Sequence, residues 1–260
     1  MKIFVLTENY AGNGLQAEHG LSYYVLFDNT KVLFDSGQSD LFLKNASAMK
    51  IDLSDIDFVV LSHGHFDHGN GLVHLPGGKL VCHPDCFVKR YRSADHTYIG
   101  LNVSKEDALK KFDAEFTSRP VWLTHSIVFL GEIPRITSFE SKITAFTLEN
   151  GDMDFVVDDS ALVFLLKSGL FIITGCGHAG IVNTIEYATK VTGIERVAGI
   201  MGGFHLKEIN LQTRNTINYL KSKSVRNLLP AHCTALPVIK EFSDIFGGTP
   251  VKTGDYFYFN

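Results

Sequence analysis

The feature that most constrains this chain is the stretch from Phe58 to Leu72, FVVLSHGHFDHGNGL. Its first four residues, Phe58, Val59, Val60 and Leu61, make a short apolar run of the kind shown by a strand buried on both faces. Residues able to ligate a metal follow at once: His63, His65, Asp67 and His68. His63 and His65 are two apart, so on extended backbone their side chains leave the same face and can grip one ion. Asp67 and His68 are adjacent, among Gly64, Gly69 and Gly71, which let the backbone turn and aim this pair elsewhere. One divalent ion or two can be held. A single histidine in a loop would read as ordinary surface, but three with an aspartate after a buried strand read as a metal site. Imidazole and carboxylate suit zinc, the first expectation, and also iron or manganese.

His63-x-His65-x-Asp67-His68 resembles the signature of the metallo-β-lactamase superfamily, which implies a four-layer αββα sandwich with a mono- or binuclear metal site at one sheet edge. Leu33-Phe34-Asp35-Ser36-Gly37, Ile172-Ile173-Thr174-Gly175 and Leu229-Pro230-Ala231-His232 resemble other motifs of that family, and together the matches cover nearly the whole chain. Gly131-Glu132-Ile133-Pro134-Arg135, Gly175-Cys176-Gly177-His178-Ala179-Gly180 and Gly202-Gly203-Phe204-His205-Leu206 narrow the likeness to the dihydropterin ribofuranosylaminobenzene phosphate synthase-like subfamily. The resemblance implies that His178 joins His63 and His65 around one ion, and that His232 completes a second with Asp67 and His68. Cys176 sits where many members carry a bridging aspartate. It is either a thiolate ligand or a buried structural thiol.

The 260 residues, 45% hydrophobic and 20% charged, suffice for one domain spanning 1–260. The irregular stretch 84–134 resembles a substrate-covering insertion. Its Arg90, Tyr91, Arg92, His96, Tyr98, Lys110, Lys111 and Arg119 could hold an anion and stack on a ring, or form a solvated surface. A net charge of -4 gives no global attraction to nucleic acid or anionic membrane. No run approaches the ~20 apolar residues of a membrane span, and the N-terminus lacks the pattern of a secretion signal. With four sparse cysteines, these point to a cytoplasmic protein without a disulfide framework. Cys82-His83-x-x-Cys86 could be half a zinc site, but no second pair accompanies it. The oligomeric state stays open, a homo-oligomer included.

Early strands are expected at Lys2–Leu6 and in a hairpin over 21–35, a helix over 40–49, and a second hairpin from Ala161–Leu166 and Gly169–Thr174. Further helices are expected over 180–192 and 210–222, with strands near 197–201, 225–229 and 251–259. Asp35 is either a carboxylate that accepts a hydrogen bond from a ligand imidazole or a turn and cap residue. Arg135 and Lys207 are candidate binders of a substrate anion. His205 could bind or protonate an anionic group, or be a histidine satisfied within its loop.

A hydroxide generated on the metal would then attack a small, anionic phosphoester, ester or lactone, with Asp67 orienting the water. The subfamily likeness implies an alternative, a synthase joining a hydroxymethyl-dihydropterin diphosphate to a ribosylated aminobenzoate. A third reading is a non-catalytic metal-binding sensor. Small-molecule substrate is the expected partner in the first two.

Overall fold

Three strands open the chain, β1 (Lys2–Thr7), β2 (Ser22–Phe27) and β3 (Thr30–Phe34). Asp28 and Asn29 turn β2 into β3 at φ 46° and 61°, values that short polar side chains tolerate in a two-residue hairpin. Then come α1 (Leu41–Ala48), β4 (Phe58–Val60), the single turn α2 (Phe66–Gly69), β5 (Gly78–Cys82), β6 (Arg90–Arg92), α3 (Lys105–Lys111) and β7 (Phe112–Phe116). The short strands β8 (Val121–Trp122), β9 (Ile127–Phe129) and β10 (Phe146–Leu148) precede the second hairpin, β11 (Ala161–Leu166) and β12 (Gly169–Thr174). The chain continues through α4 (Ile181–Thr192), β13 (Val197–Gly203), α5 (Leu211–Ser222), β14 (Asn227–Ala231), α6 (Leu236–Phe246) and β15 (Tyr256–Tyr258).

This computed structural model describes residues 1–12 and 14–260, which form two compact units. The first comprises Met1–Ser118, Thr144–Asp154 and Lys252–Phe259. Its seven-stranded sheet runs β15-β1-β2-β3-β4-β5-β7, and β6 pairs with β10 in a separate ribbon. From β3 to β7 the neighbours are parallel. A strand inside such a sheet is covered on both faces, which is why β4 reads as an unbroken apolar run. Leu33, Phe42, Val59, Leu61, Leu80 and Phe112 belong to one buried cluster of this unit. The register Phe34↔Val60 places the residues after β3 beside those after β4, so Asp35 meets Ser62.

The second unit comprises Arg119–Ile143, Phe155–Val251 and Asn260. Its sheet runs β14-β13-β12-β11-β9-β8, with β12, β13 and β14 parallel. The core beneath it includes Val163, Ile172, Ile185, Ile200, Leu220 and Phe242, drawn from strands and from α4, α5 and α6. Gly193 ends α4 in the left-handed region at φ 70°, the usual stop for a helix. Asn210 caps α5 by accepting from the Thr213 amide, as expected of a short polar residue there.

Both hairpins and the helices over 41–48, 181–192 and 211–222 fall where the sequence pattern puts them. The stretch 84–134 carries regular structure. It supplies β7 to the edge of the first sheet and β8 and β9 to the edge of the second.

Candidate metal centre

In the first unit the motif leaves β4 and is pinned from three sides. The Ser36 amide donates to the His68 carbonyl at 2.7 Å, the Leu21 amide to the Asp67 carbonyl at 3.2 Å, and the Phe66 amide to the Ile99 carbonyl at 3.0 Å. Asp67 and His68 lie within α2 rather than in an open turn. Adjacent helical positions diverge by about 100°, which separates the two side chains. Gly64 is needed for closeness: a Cβ there would stand 1.8 Å from the Cys86 carbonyl oxygen.

The rings are oriented from behind. Ser62 Oγ lies 2.9 Å from His63 Nδ1, and Asp35 Oδ2 lies 2.7 Å from His68 Nδ1. Asp35 also accepts from the Ser62 amide through Oδ1 and from the Ser62 hydroxyl through Oδ2, each at 2.7 Å. With their Nδ1 atoms engaged, both histidines keep Nε2 for the cluster, the arrangement by which outer partners set a ligand's tautomer. His63 Nε2 lies 3.0 Å from His65 Nδ1, and His68 Nε2 lies 3.8 Å from Asp67 Oδ2. Burial holds the His63 pKa well below its usual value, helped by the neighbouring His68 and His65 and opposed by Asp67. A neutral imidazole is the form that binds a metal. This donor set fits a divalent cation.

In the second unit the candidate residues follow the carboxyl ends of three adjacent parallel strands, where open α/β sheets gather their ligands. Cys176 and His178 follow β12, His205 follows β13, and His232 follows β14. His205 and His232 adopt φ 49° and 50°, a strained region for residues other than glycine. The His178 and His205 rings stand 4.2 Å apart. Burial lowers the His205 pKa, with Cys233 opposing and Lys207 and His232 adding to the shift. Gly202, at φ 121°, brings its backbone so close to β12 that a Cβ would lie 2.0 Å from the Thr174 carbonyl oxygen.

Cys233 donates from Sγ to the Cys176 carbonyl at 3.3 Å. Burial pushes its thiol up, but the Cys176 thiol, His205, His232 and Lys207 outweigh that and set it well below the usual value. Two buried carboxylates brace the loops around α4. Asp159 accepts from the Ala179 amide at 2.9 Å, and burial pushes its pKa up to about 7 against the pull of that bond and of Arg135. Glu140 accepts from the Val182 and Asn183 amides, each at 2.9 Å, satisfying the first turn of α4.

A family model described as the metallo-beta-lactamase superfamily matches residues 15–78. The crystal structure of a metal-dependent hydrolase of the β-lactamase superfamily is 30% identical, covers 100% of this chain and 99% of its own, and superposes with a TM-score of 0.88. This chain belongs to the metallo-β-lactamase superfamily. Its mixed α/β architecture is that superfamily's fold, and the family binds divalent metal. The 7,8-dihydropterin-6-methyl-4-(beta-D-ribofuranosyl)-aminobenzene-5'-phosphate synthase of Methanocaldococcus jannaschii is 31% identical over 269 residues, 95% of this chain and 92% of the relative. An uncharacterised protein of the same archaeon is 33% identical over 250 residues, 94% of each chain. The subfamily likeness read from the motifs is therefore present at full length.

Among the candidate residues of this metallo-β-lactamase superfamily member, His63, His65, Asp67 and His68 are gathered in the first unit, with Asp35 bonded to the His68 ring. Arg135 is occupied within its own unit, donating to the carbonyls of Phe155 at 2.5 Å and Val156 at 2.9 Å and to Ser141 at 2.7 Å. Lys207 is exposed and donates to the Cys233 carbonyl at 2.7 Å. Cys82 and Cys86 are buried free thiols, and His83 Nδ1 accepts from the Asp85 amide. The sequence pattern missed His19, whose Nε2 lies 3.0 Å from Asp67 Oδ2. The sole local hint is Gly20, where a Cβ would press to 2.9 Å of the Asp67 carbonyl oxygen. No helix among the described residues is long and apolar enough to cross a membrane.

Proposed function

We propose that this chain is a metal-dependent hydrolase of a small anionic substrate carrying a phosphoester, ester or lactone bond. The observation that supports it best is the buried His63, His65, Asp67 and His68 cluster, whose rings are held from behind by Ser62 and Asp35. In this reading His63, His65 and His178 hold one ion, Asp67, His68 and His232 hold a second, and Cys176 is either a thiolate donor or a buried structural thiol. Zinc suits this set best, with iron and manganese as alternatives. When bound, such ions lower the pKa of water and polarise a carbonyl or phosphoryl oxygen. Asp67 would orient the attacking water, and protonation of the leaving group would fall to His205 or to solvent.

Elemental analysis of protein purified without added metal tests the ligand assignment. His63→Ala and His178→Ala should empty one site, and Asp67→Ala and His232→Ala should weaken the other. Full occupancy in all four variants would remove the assignment. A screen of generic phosphodiester, ester and lactone substrates on the metal-loaded chain then tests hydrolysis.

A second reading, pterin transfer, is favoured by the full-length likeness to the archaeal synthase. Incubation with a hydroxymethyl-dihydropterin diphosphate and a ribosylated aminobenzoate separates the two. Condensation product without turnover of the generic esters would replace hydrolysis with transfer, because one scaffold hosts many reactions.

A further inference from the structure

The ribbon of β6 and β10 has one face turned to the histidine cluster. Directly opposed residues of an antiparallel pair share a face, with Cβ atoms ~5 Å apart. The register Phe146↔Arg92 and Leu148↔Arg90 therefore puts Phe146, Arg92, Leu148 and Arg90 together. The Phe146 ring, 4.9 Å from the His65 ring at 69°, orients this face, and Arg90 on the same face is 1% exposed. Arg90 is committed, with Nε 3.5 Å from Asp154 Oδ2 and Nη2 donating to the Asp85 carbonyl. Arg92 differs. Its side chain is 51% exposed, with the guanidinium 3.6 Å from Asp95, a surface pair of the kind that contributes little. Phe146 is half-buried beside a metal-ligand candidate.

We infer that Phe146 and Arg92 form a substrate subsite beside His65 that takes a flat ring bearing an anionic group such as phosphate or carboxylate. The ring packs on Phe146, in the offset or edge geometry aromatic pairs adopt, and the anion meets the guanidinium fork of Arg92. The inference rests on the reading that the His63–His68 cluster is the reaction centre. It holds for hydrolysis or transfer alike.

Calorimetric binding of phenylphosphonate and methylphosphonate to the metal-loaded chain tests it without turnover, with metal content measured in every variant. The parent chain should bind phenylphosphonate about three- to tenfold more tightly than methylphosphonate. Phe146→Leu should bring that ratio close to one and Phe146→Tyr should keep it. Arg92→Gln should weaken both phosphonates by about tenfold or more, with metal content unchanged throughout. An unchanged ratio in Phe146→Leu, unchanged affinities in Arg92→Gln, or no phosphonate binding by the parent chain would overturn the subsite. Failure of the hydrolase reading shows separately, as a metal-loaded chain that binds phosphonates with the expected ratio yet turns over no ester, phosphodiester or lactone.

Discussion

Each unit builds a hairpin and places a buried aspartate next to it, but the two carboxylates do different work. Asp35, after β3, reaches a donor ring directly through His68 Nδ1 and ties it to Ser62. Asp159, before β11, takes the amide of Ala179, the residue after His178. One carboxylate fixes the tautomer and aim of a ring, while the other fixes the path of the loop that carries one. The same contrast holds for the backbone. In the first unit the ligand-bearing segment is held by hydrogen bonds to Ser36 and Leu21. In the second, His205 and His232 occupy left-handed conformations beside a glycine whose hydrogen fits where no methyl could.

The glycines give the largest expected effects. Gly202→Ala combines a clash at 2.0 Å with an unfavourable φ, whereas Gly64→Ala at 1.8 Å brings a clash alone. Each should cost about 4 kcal/mol or more, since backbone oxygens cannot swing aside, and Gly202→Ala should be the worse. Chemical denaturation ranks them, and the reverse order would break the distinction between a strained and a merely crowded backbone.

Asp35→Ala comes next, at about 3 kcal/mol, because it strips partners from a buried ring, a hydroxyl and an amide. Asp159→Ala should cost about half as much, removing one backbone bond and relieving a carboxylate that burial disfavours. The metal content separates them further: it should collapse in Asp35→Ala and fall less in Asp159→Ala. Equal losses of stability and metal in the two variants would mean that anchoring a ring and anchoring its loop are equivalent here.

The His63–His68 motif was legible because its chemistry is local, four donors within one turn of chain after an apolar strand. β11 and β12 were legible to the residue because a Lys167-Ser168 turn separates two apolar runs. α2 was not, since the glycines around Asp67 read as an open turn. The sequence pattern also leaves α6 out, although Leu236, Val238, Ile239, Phe242 and Ile245 follow helical spacing and Pro237 occupies the first turn, where proline is tolerated. Glu140, Asp159, Phe146 and His19 were illegible for a different reason. Glu140 is 42 residues from Val182, and no periodicity links a carboxylate to an amide that only tertiary folding brings near.

The two acids of the second unit also predict a pH dependence. Burial raises Glu140 and Asp159 above their usual values, the latter to about 7. Between the ordinary carboxylate range and pH 7 the folded state therefore holds more protons than the unfolded one, and these groups make stability fall as pH rises. One proton limits the slope to ~1.4 kcal/mol per pH unit. Urea denaturation of chelator-treated protein at pH 5 and pH 8 should show a smaller loss in Glu140→Gln than in the parent chain. A larger loss in the variant would reverse the assigned sign.

The smallest effects concern Arg135 and Lys207, the two cations that the sequence motifs offer for a substrate anion, and they sharpen the contrast between braced and open groups. Arg135 is committed to three partners, including the carbonyl of Val156, itself at φ 54°. Arg135→Ala should lower stability by about 1–2 kcal/mol and leave KM of the folded fraction unchanged. Lys207 is exposed with one carbonyl bond, so Lys207→Ala should change stability by less than about 0.5 kcal/mol. If Lys207 meets the substrate anion, KM should rise severalfold at low salt and converge with that of the parent chain as ionic strength screens the charge. A KM effect confined to Arg135→Ala would invert the pair, showing that the guanidinium leaves its carbonyls when substrate arrives.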